Sequence, residues 1–303
     1  MVDLTLLGCG GGMPIPERFL SSLLINYKGR KILIDCGEGT QVSMKIAKTG
    51  FKNIDIICIT HIHGDHIIGL PGLLSTIGNS ERRQPLKILG PKGITAAVNG
   101  LRVVAQYLPY DIEIIEVGEN DLELLEGEVL CSTLELDHSS PCVGYRFYFK
   151  RNPRFDMDRA KKNDVPKILW NKLQKSKDSI NYQGKRYNPL MVMGEERKGI
   201  KLSFVTDTRP KDEIVEFIKD SDFFICEGTY GNDLDIEKAI RNKHMTFKES
   251  AILAKTGNVK TLLLTHFSPA ILEPSEYLTN ATDVFNNTLI GEDRMKFTLN
   301  FEE

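Results

Sequence analysis

Residues 54–66 read Ile54-Asp55-Ile56-Ile57-Cys58-Ile59-Thr60-His61-Ile62-His63-Gly64-Asp65-His66. The first seven form a short β-rich apolar run, the pattern of a buried strand. The last six hold three of the chain's six histidines and one aspartate. In extended backbone, residues two apart point to the same side, so His61 and His63 can share one metal ion. Gly64 permits a sharp bend, after which Asp65 and His66 can turn toward a second ion. Neutral imidazole and carboxylate are the usual donors of a catalytic zinc, which keeps open positions for water and substrate. A polar loop of hydrogen-bonded histidines accounts for a lone histidine, but poorly for H-x-H-x-D-H directly after a strand. The stretch therefore predicts a metal site where a strand ends.

The remaining histidines follow the same logic. His138 comes after the apolar run 129–136, and His266 after 261–265. His244 lies just before a T-x-x-E capping box formed by Thr246 and Glu249, which predicts a helix starting at Thr246. Around these points the chain alternates strands and helices. A hairpin (23–26, then 31–35) leads to a helix ending near Gly50, the strand before His61, and an apolar helix over 67–76. Alternation continues to about Arg146. Beyond it come strand 200–206, helix 210–219, strand 222–227, helix 246–256, strand 259–265 and a C-terminal helix near 274–287. Strands in two runs with helices outside predict an α/β fold: a four-layer αββα sandwich, one domain over residues 1–303, with the site at an edge where strands end.

The cluster resembles that of the metallo-β-lactamase superfamily. Asp35, in Ile32-Leu33-Ile34-Asp35-Cys36-Gly37, matches the superfamily's early structural aspartate, which orients the ligand loop. His138 matches the third ligand motif, Asp207 the metal-bridging aspartate, and His266 the last ligand. The resemblance implies one metal on His61, His63, His138 and Asp207, and another on Asp65, His66, Asp207 and His266. Two ions about 3.5–4 Å apart suit phosphodiester hydrolysis, because they lower the pKa of a shared water and clamp the attacking and leaving oxygens. The ligand set implies two zinc ions per subunit; manganese accepts the same donors.

Nearly the whole chain is similar to the ribonuclease Z family, endonucleases that trim the 3′ end of precursor tRNA. The stretches that carry the similarity are Leu6-Leu7-Gly8-Cys9-Gly10-Gly11-Gly12-Met13-Pro14, Asp35 to Gln41, Gly69 to Leu74, Gly144-Tyr145-Arg146 and Asp207-Thr208-Arg209. Glu227-Gly228-Thr229-Tyr230 and His244-Met245-Thr246 match the glutamate and histidine pair that this family uses beside its metals. By that resemblance His244 would protonate the departing 3′ oxygen, Glu227 would orient and charge it, and Asp65 would hold and help deprotonate the attacking water. The family also implies a homodimer with precursor tRNA as the substrate. Departures occur at Val165-Pro166-Lys167-Ile168-Leu169-Trp170, at Phe267-Ser268-Pro269-Ala270 and at Gly228.

Charge distribution adds an independent argument. Residues 150–201 carry 15 Lys or Arg against 6 Asp or Glu, whereas the rest of the chain carries 24 against 35. A basic block in an otherwise acidic chain is a candidate electrostatic footprint for RNA phosphates. Within it, residues 155–190 read as loop-rich and polar, with Trp170, Tyr182 and Tyr187, and the insertion of about 150–199 sits where the family carries its RNA-binding arm.

A chain of 303 residues with 41% hydrophobic content can bury one large core. No run reaches the roughly 18 apolar residues of a membrane span. The N-terminus enters a strand-like segment without a basic-then-apolar leader. Six dispersed cysteines with no C-x-x-C pair read as small core residues in a reducing cytoplasm. Gly8-Cys9-Gly10-Gly11-Gly12-Met13 lacks the last glycine of a dinucleotide loop and instead suits the rim of the metal site. Two other readings remain: a hydrolase of this fold acting on another phosphodiester or a thioester, and a catalytically silent RNA-binding subunit. The second would be expected to have lost ligands, and here every ligand position is filled.

Overall fold

A computed structural model describes residues 1–118, 122–176 and 178–302. Lys177, one of the 15 basic residues of the 150–201 block, lies outside the described residues. In chain order the strands are β1 (Val2–Gly8), β2 (Ser22–Tyr27), β3 (Arg30–Ile34), β4 (Ile54–Cys58), β5 (Leu86–Gly90), β6 (Ile112–Glu116), β7 (Leu122–Leu124) and β8 (Val129–Glu135). They continue as β9 (Val143–Arg151), β10 (Ile180–Tyr182), β11 (Lys185–Tyr187), β12 (Arg197–Val205), β13 (Phe223–Glu227), β14 (Leu262–Thr265), β15 (Thr288–Ile290) and β16 (Met295–Leu299). The α-helices are α1 (Thr40–Ala47), α2 (Gly64–Ile67), α3 (Leu70–Asn79), α4 (Ile94–Leu101), α5 (Met157–Lys162), α6 (Lys167–Lys175), α7 (Asp212–Ile218), α8 (Ile236–Asn242), α9 (Phe247–Thr256) and α10 (Thr279–Thr282).

Two seven-stranded sheets result, ordered β16-β1-β2-β3-β4-β5-β6 and β15-β14-β13-β12-β9-β8-β7. In the first, β16, β1, β2 and β3 pair antiparallel, and β3 to β6 pair parallel. In the second, β12 to β15 are parallel. Parallel neighbours need a crossover, and α1, α3, α4, α7, the α8–α9 pair and the short α10 lie in the six connections. Apolar runs such as Ile32-Leu33-Ile34 and Leu262-Leu263-Leu264 are buried on both faces, as strands between two layers must be. On the outer face of the first sheet, Leu7, Leu24, Leu33 and Ile57 pack against Met44 of α1, Leu73, Leu74 and Ile77 of α3, and Val98 of α4. Between the sheets, Tyr145 Oη donates to Ile59 O at 2.8 Å, and the Phe223 and Phe297 rings meet at 4.9 Å. The α/β sandwich expected from the sequence is the fold observed.

Several local expectations fail for identifiable reasons. The helix expected over 67–76 is two helices, α2 and α3, separated at Ile68-Gly69. There Gly69 N donates to Cys36 O at 2.9 Å, and a side chain at Gly69 would place its Cβ 2.3 Å from Gly37 O. The C-terminal helix near 274–287 reduces to a 3₁₀ turn at Pro274–Tyr277 and the short α10. Thr and Asn are weak helix formers, and Asn280 ties the segment to a distant loop instead, its Nδ2 donating to Gly231 O at 2.6 Å. Strand β16 was not anticipated, although Met295, Phe297 and Leu299 alternate with Lys296 and Thr298.

The chain divides into two compact units: Met1–Tyr148 with Ile200–Asn300, and Phe149–Gly199 with residues 301–302. The segment 155–190 is not loop-rich. The smaller unit has its own apolar core of Ala160, Val165, Leu169, Leu173, Tyr187, Val192 and Met193. Asp156 caps α5 by accepting from Arg159 N at 2.8 Å. Leu169 and Leu173, four apart, bring one face of α6 onto that core. Trp170 Nε1 donates to Val165 O at 2.8 Å, and β10 and β11 form a hairpin. The high lysine content hid this helical spacing.

Candidate metal centre

Strand ends supply the site. His61 follows β4, His138 follows β8, Asp207 follows β12 and His266 follows β14. Asp35, Asp207 and His266 take φ of 57°, 57° and 58°. That left-handed conformation is uncommon for residues with a side chain and persists where surrounding contacts enforce it. Here it turns the chain sharply just beyond three buried strands. His63 is the N-cap of α2, so Asp65 and His66 fall in that helix's single turn.

The side chains converge on two donor sets. In the first, His61 Nε2 lies 2.9 Å from His63 Nδ1, and His138 Nε2 lies 3.2 Å from the same nitrogen. Asp207 Oδ2 is 3.6 Å from His61 Nε2 and 3.7 Å from His138 Nε2. In the second, His66 Nε2 and His266 Nε2 are 3.2 Å apart. Asp65 Oδ2 lies 3.5 Å and 3.4 Å from them, and Asp207 Oδ1 lies 3.4 Å and 3.3 Å from them. Donors about 2.0–2.1 Å from one tetrahedral ion sit roughly 3.4 Å from each other, so both sets have the spacing of a coordination shell. Asp207 gives one carboxylate oxygen to each.

Outer contacts aim these donors inward. His66 Nδ1 is 2.7 Å from Asp35 Oδ2, His61 Nδ1 is 3.1 Å from Thr60 Oγ1, His138 Nδ1 is 3.3 Å from Lys243 O, and His266 Nδ1 is 3.0 Å from Thr229 Oγ1. Each of these four imidazoles is thus held through Nδ1, leaving Nε2 facing the centre. Metal-binding histidines are commonly oriented this way. Asp35 is itself fixed, accepting from Thr60 N at 2.7 Å and from Thr60 Oγ1. Gly12 N donates to Asp65 Oδ2 at 2.6 Å. The glycine-rich turn that carries it is tied to the His266 loop, Phe267 N donating to Cys9 O and Gly11 N to Phe267 O. Gly11 lies so close to the His266 ring that a Cβ there would sit 2.4 Å from Cε1.

Burial pushes the pKa of His61 and His138 below the ordinary imidazole value, which suits neutral donors. Burial opposes ionisation of Asp207 too, yet His266, His66 and His61 around it hold its carboxyl well below the usual range. Imidazole nitrogens and two carboxylates at this spacing form a donor set that fits divalent cations.

His244 stands beside this cluster. Its Nδ1 is 3.2 Å from Glu227 Oε2 and 4.0 Å from Asp207 Oδ2. Glu227 is fully buried and accepts from Thr208 N at 2.7 Å, Thr229 Oγ1 at 2.6 Å and Met245 N at 3.0 Å. Burial alone would lower the His244 pKa, but Glu227 outweighs it and raises it to about 9. All nine residues singled out in the sequence (His61, His63, Asp65, His66, His138, Asp207, Glu227, His244 and His266) lie in this one neighbourhood. A cavity of about 470 Å³ opens onto it, lined by His63, His138, Asp207, His244, Tyr230 and Arg241 among others. The sequence assigns no role to Thr60, Thr229, Lys243 or Arg209, although Thr229 and Arg209 lie in stretches that carry the family similarity. Their contributions run through hydroxyls, a backbone carbonyl and a guanidinium, and apart from the Thr60–His61 contact they join residues distant in the chain.

A family model described as the anti-Pycsar protein Apyc1 matches residues 2–106, a third of the chain that includes His61, His63, Asp65 and His66. A ribonuclease Z of Clostridium beijerinckii is 65% identical over 307 aligned positions, covering 100% of both chains. The chain belongs to the ribonuclease Z family. Among solved structures, the short form of human tRNase Z matches at a TM-score of 0.71 with 24% identity, over 99% of this chain and 100% of that one. The metallo-β-lactamase fold protein YhfI of Bacillus subtilis gives the same TM-score at 18% identity, over 98% of each chain. At these identities the two structures establish the fold, which ribonuclease Z relatives and this chain share.

Proposed function

We propose that this protein is a metal-dependent endoribonuclease of the ribonuclease Z type that removes the 3′ trailer of precursor tRNA. One observation carries the reading: Asp207 divides its two oxygens between three histidines on one side and Asp65, His66 and His266 on the other, with a buried Glu227–His244 pair alongside. We further propose two zinc ions per subunit, on His61, His63, His138 and Asp207 and on Asp65, His66, Asp207 and His266; bound there, they would supply the positive charge that activates water and stabilises phosphoryl oxygens. Manganese is served by the same donors.

The chain's own groups divide the remaining work. Glu227 faces Nδ1 of His244, which leaves Nε2 to carry the proton toward a departing 3′ oxygen. Three donors fix Glu227, so the imidazolium cannot drift from that heading. Asp65 is ionised: burial would raise its pKa, but His266 and His66 hold it far below the usual carboxylate range. Ionised, and with one oxygen held by Gly12, it can orient the attacking water.

The smaller unit is the proposed RNA-binding arm. Lys161, Lys162, Lys172 and Lys175 are exposed on it, where they can meet phosphates. A homodimer fits Val42 and Ile46 of α1, which are exposed and which a second copy would cover. A reducing cytoplasm fits the six cysteines, all free and buried. Among the described residues no helix is long and apolar enough to cross a membrane.

The test is to incubate metal-loaded protein with a tRNA bearing a 3′ trailer and, separately, with a bis-ester phosphodiester reporter. Trailer removal is expected, and His244→Ala should slow it by roughly 10²–10⁴-fold with metal content unchanged. Reporter turnover without trailer removal would defeat the tRNA reading and leave a phosphodiesterase of another substrate.

A further inference from the structure

His244 and Met245 lie between α8 and α9, outside either helix, and Lys243 before them adopts the left-handed conformation at φ 58°. Neither helix therefore sets where the His244 ring sits. Its Nδ1–Glu227 contact fixes a direction, and Met245 beside it is held by its N donating to Glu227 Oε2 at 3.0 Å and its O accepting from Tyr230 N at 3.2 Å. Two further contacts hold the backbone of His244 itself. His244 N donates to Ala239 O at 2.9 Å, and His244 O accepts from Arg209 Nη1 at 2.5 Å. The same Nη1 donates to Glu249 Oε2 at 2.9 Å, and Nη2 bonds Glu249 Oε1. Glu249 Oε2 in turn accepts from Thr246 N at 3.0 Å, closing the capping box of α9. At its backbone, Arg209 N donates to Asp137 O at 3.1 Å, next to His138 and two residues beyond Asp207.

We propose that Arg209, gripped by Glu249, is a positioning residue for His244: it clamps the carbonyl of the proton donor to the loop that carries the bridging aspartate. Glu249 thus has two tasks, capping α9 and holding the guanidinium fork in the plane where one arm reaches His244 O. A planar fork with fixed donors can serve carbonyl and carboxylate together, which a lysine ammonium does less well. The inference rests on the reading of His244 as the proton donor.

A double-mutant cycle tests it on full-length, metal-loaded protein with trailer-bearing tRNA. Arg209→Ala is expected to lower kcat by tens of fold, since a misplacement near 1 Å can cost about 10²-fold. KM and bound metal should stay unchanged, and Arg209→Lys should recover part of the loss. In a His244→Ala background, Arg209→Ala should change the rate by less than about twofold, because the group it positions is gone. Glu249→Gln keeps an acceptor for Thr246 N, weakens the ionic grip, and should show the same pattern at smaller size; it also stands in should Arg209→Ala fail to fold. Equal losses in the wild-type and His244→Ala backgrounds, or loss of metal from Arg209→Ala or Glu249→Gln, would overturn the positioning role alone. Wild-type cleavage by His244→Ala would overturn both this inference and the reading beneath it.

Discussion

The loops around Asp207 and the smaller unit that contains α5 and α6 show two different ways of building with polar residues. Around Asp207 the polar side chains are buried, and each has partners: Asp35, Glu227, Thr60 and Thr229 make specific bonds to one another or to the histidines. In the smaller unit Lys161, Lys162, Lys172 and Lys175 are exposed, and seven buried residues form the core beneath them. A buried polar network is costly to leave incomplete, so its members are interdependent. Exposed charges act nearly independently and are screened by salt. Substitutions should therefore act abruptly in the first region and gradually in the second.

The largest effect should come from Asp207→Ala, which takes a ligand from both donor sets at once. Trailer removal should fall by at least roughly 10³-fold, with loss of bound metal by elemental analysis. If metal stayed bound in full, the division of Asp207 between two sets would have no bearing on binding. Gly11→Ala comes next. The added methyl would meet His266, whose Nδ1 is held by Thr229 and whose backbone is already left-handed, so little room exists for adjustment. Affinity at the second set should drop about 10–100-fold, the size seen when a ligand's support is disturbed. Titration should then show one tight and one weak ion per chain; two tight ions would mean that the turn is softer than its contacts imply.

The two regions were also unequally legible in the sequence. His61, His63, Asp65 and His66 declare themselves because ligands must be particular residue types, and a strand followed by a glycine fixes their directions. Thr60, Thr229 and Arg209 do not, since their roles depend on partners brought close by the sheets: Thr229 meets His266 across 37 residues and Arg209 meets Glu249 across 40. In the smaller unit the helix α6 is legible from the spacing of Leu169 and Leu173, but the lysines around them give the stretch the composition of a polar loop. Strand β16 shows the same limit at a sheet edge, where half-exposed alternation carries a weak signal. The positive φ at Asp35, Asp207 and His266 carries only a weak sequence signature, since Asp and His tolerate it better than most residues but no glycine marks it.

Charge reversal at Lys161, Lys162, Lys172 and Lys175 should act more mildly. Turnover of the phosphodiester reporter should not change, while KM for trailer-bearing tRNA should rise about tenfold or more near physiological salt. The slope of log affinity against log salt should shrink by about 0.7–0.9 for each phosphate that is no longer neutralised. An unchanged slope would remove the smaller unit from RNA binding and leave its lysines as a solvated face.

The smallest effect on catalysis should come from Leu173→Ala, although its structural effect is large. Leu173 is fully buried in the smaller unit's own core, and truncating a leucine in such a place costs about 2–5 kcal/mol. Trp170 is the chain's single tryptophan and packs against that same core, so its fluorescence reports on this unit alone. In a urea titration the fluorescence transition should move to lower denaturant, whereas the main far-UV transition and reporter turnover should stay where they are. If both transitions moved together, the two cores would unfold as one cooperative body. The contrast between an interdependent polar network and an independently folded basic unit would then hold for the surface charges but not for the packing beneath them.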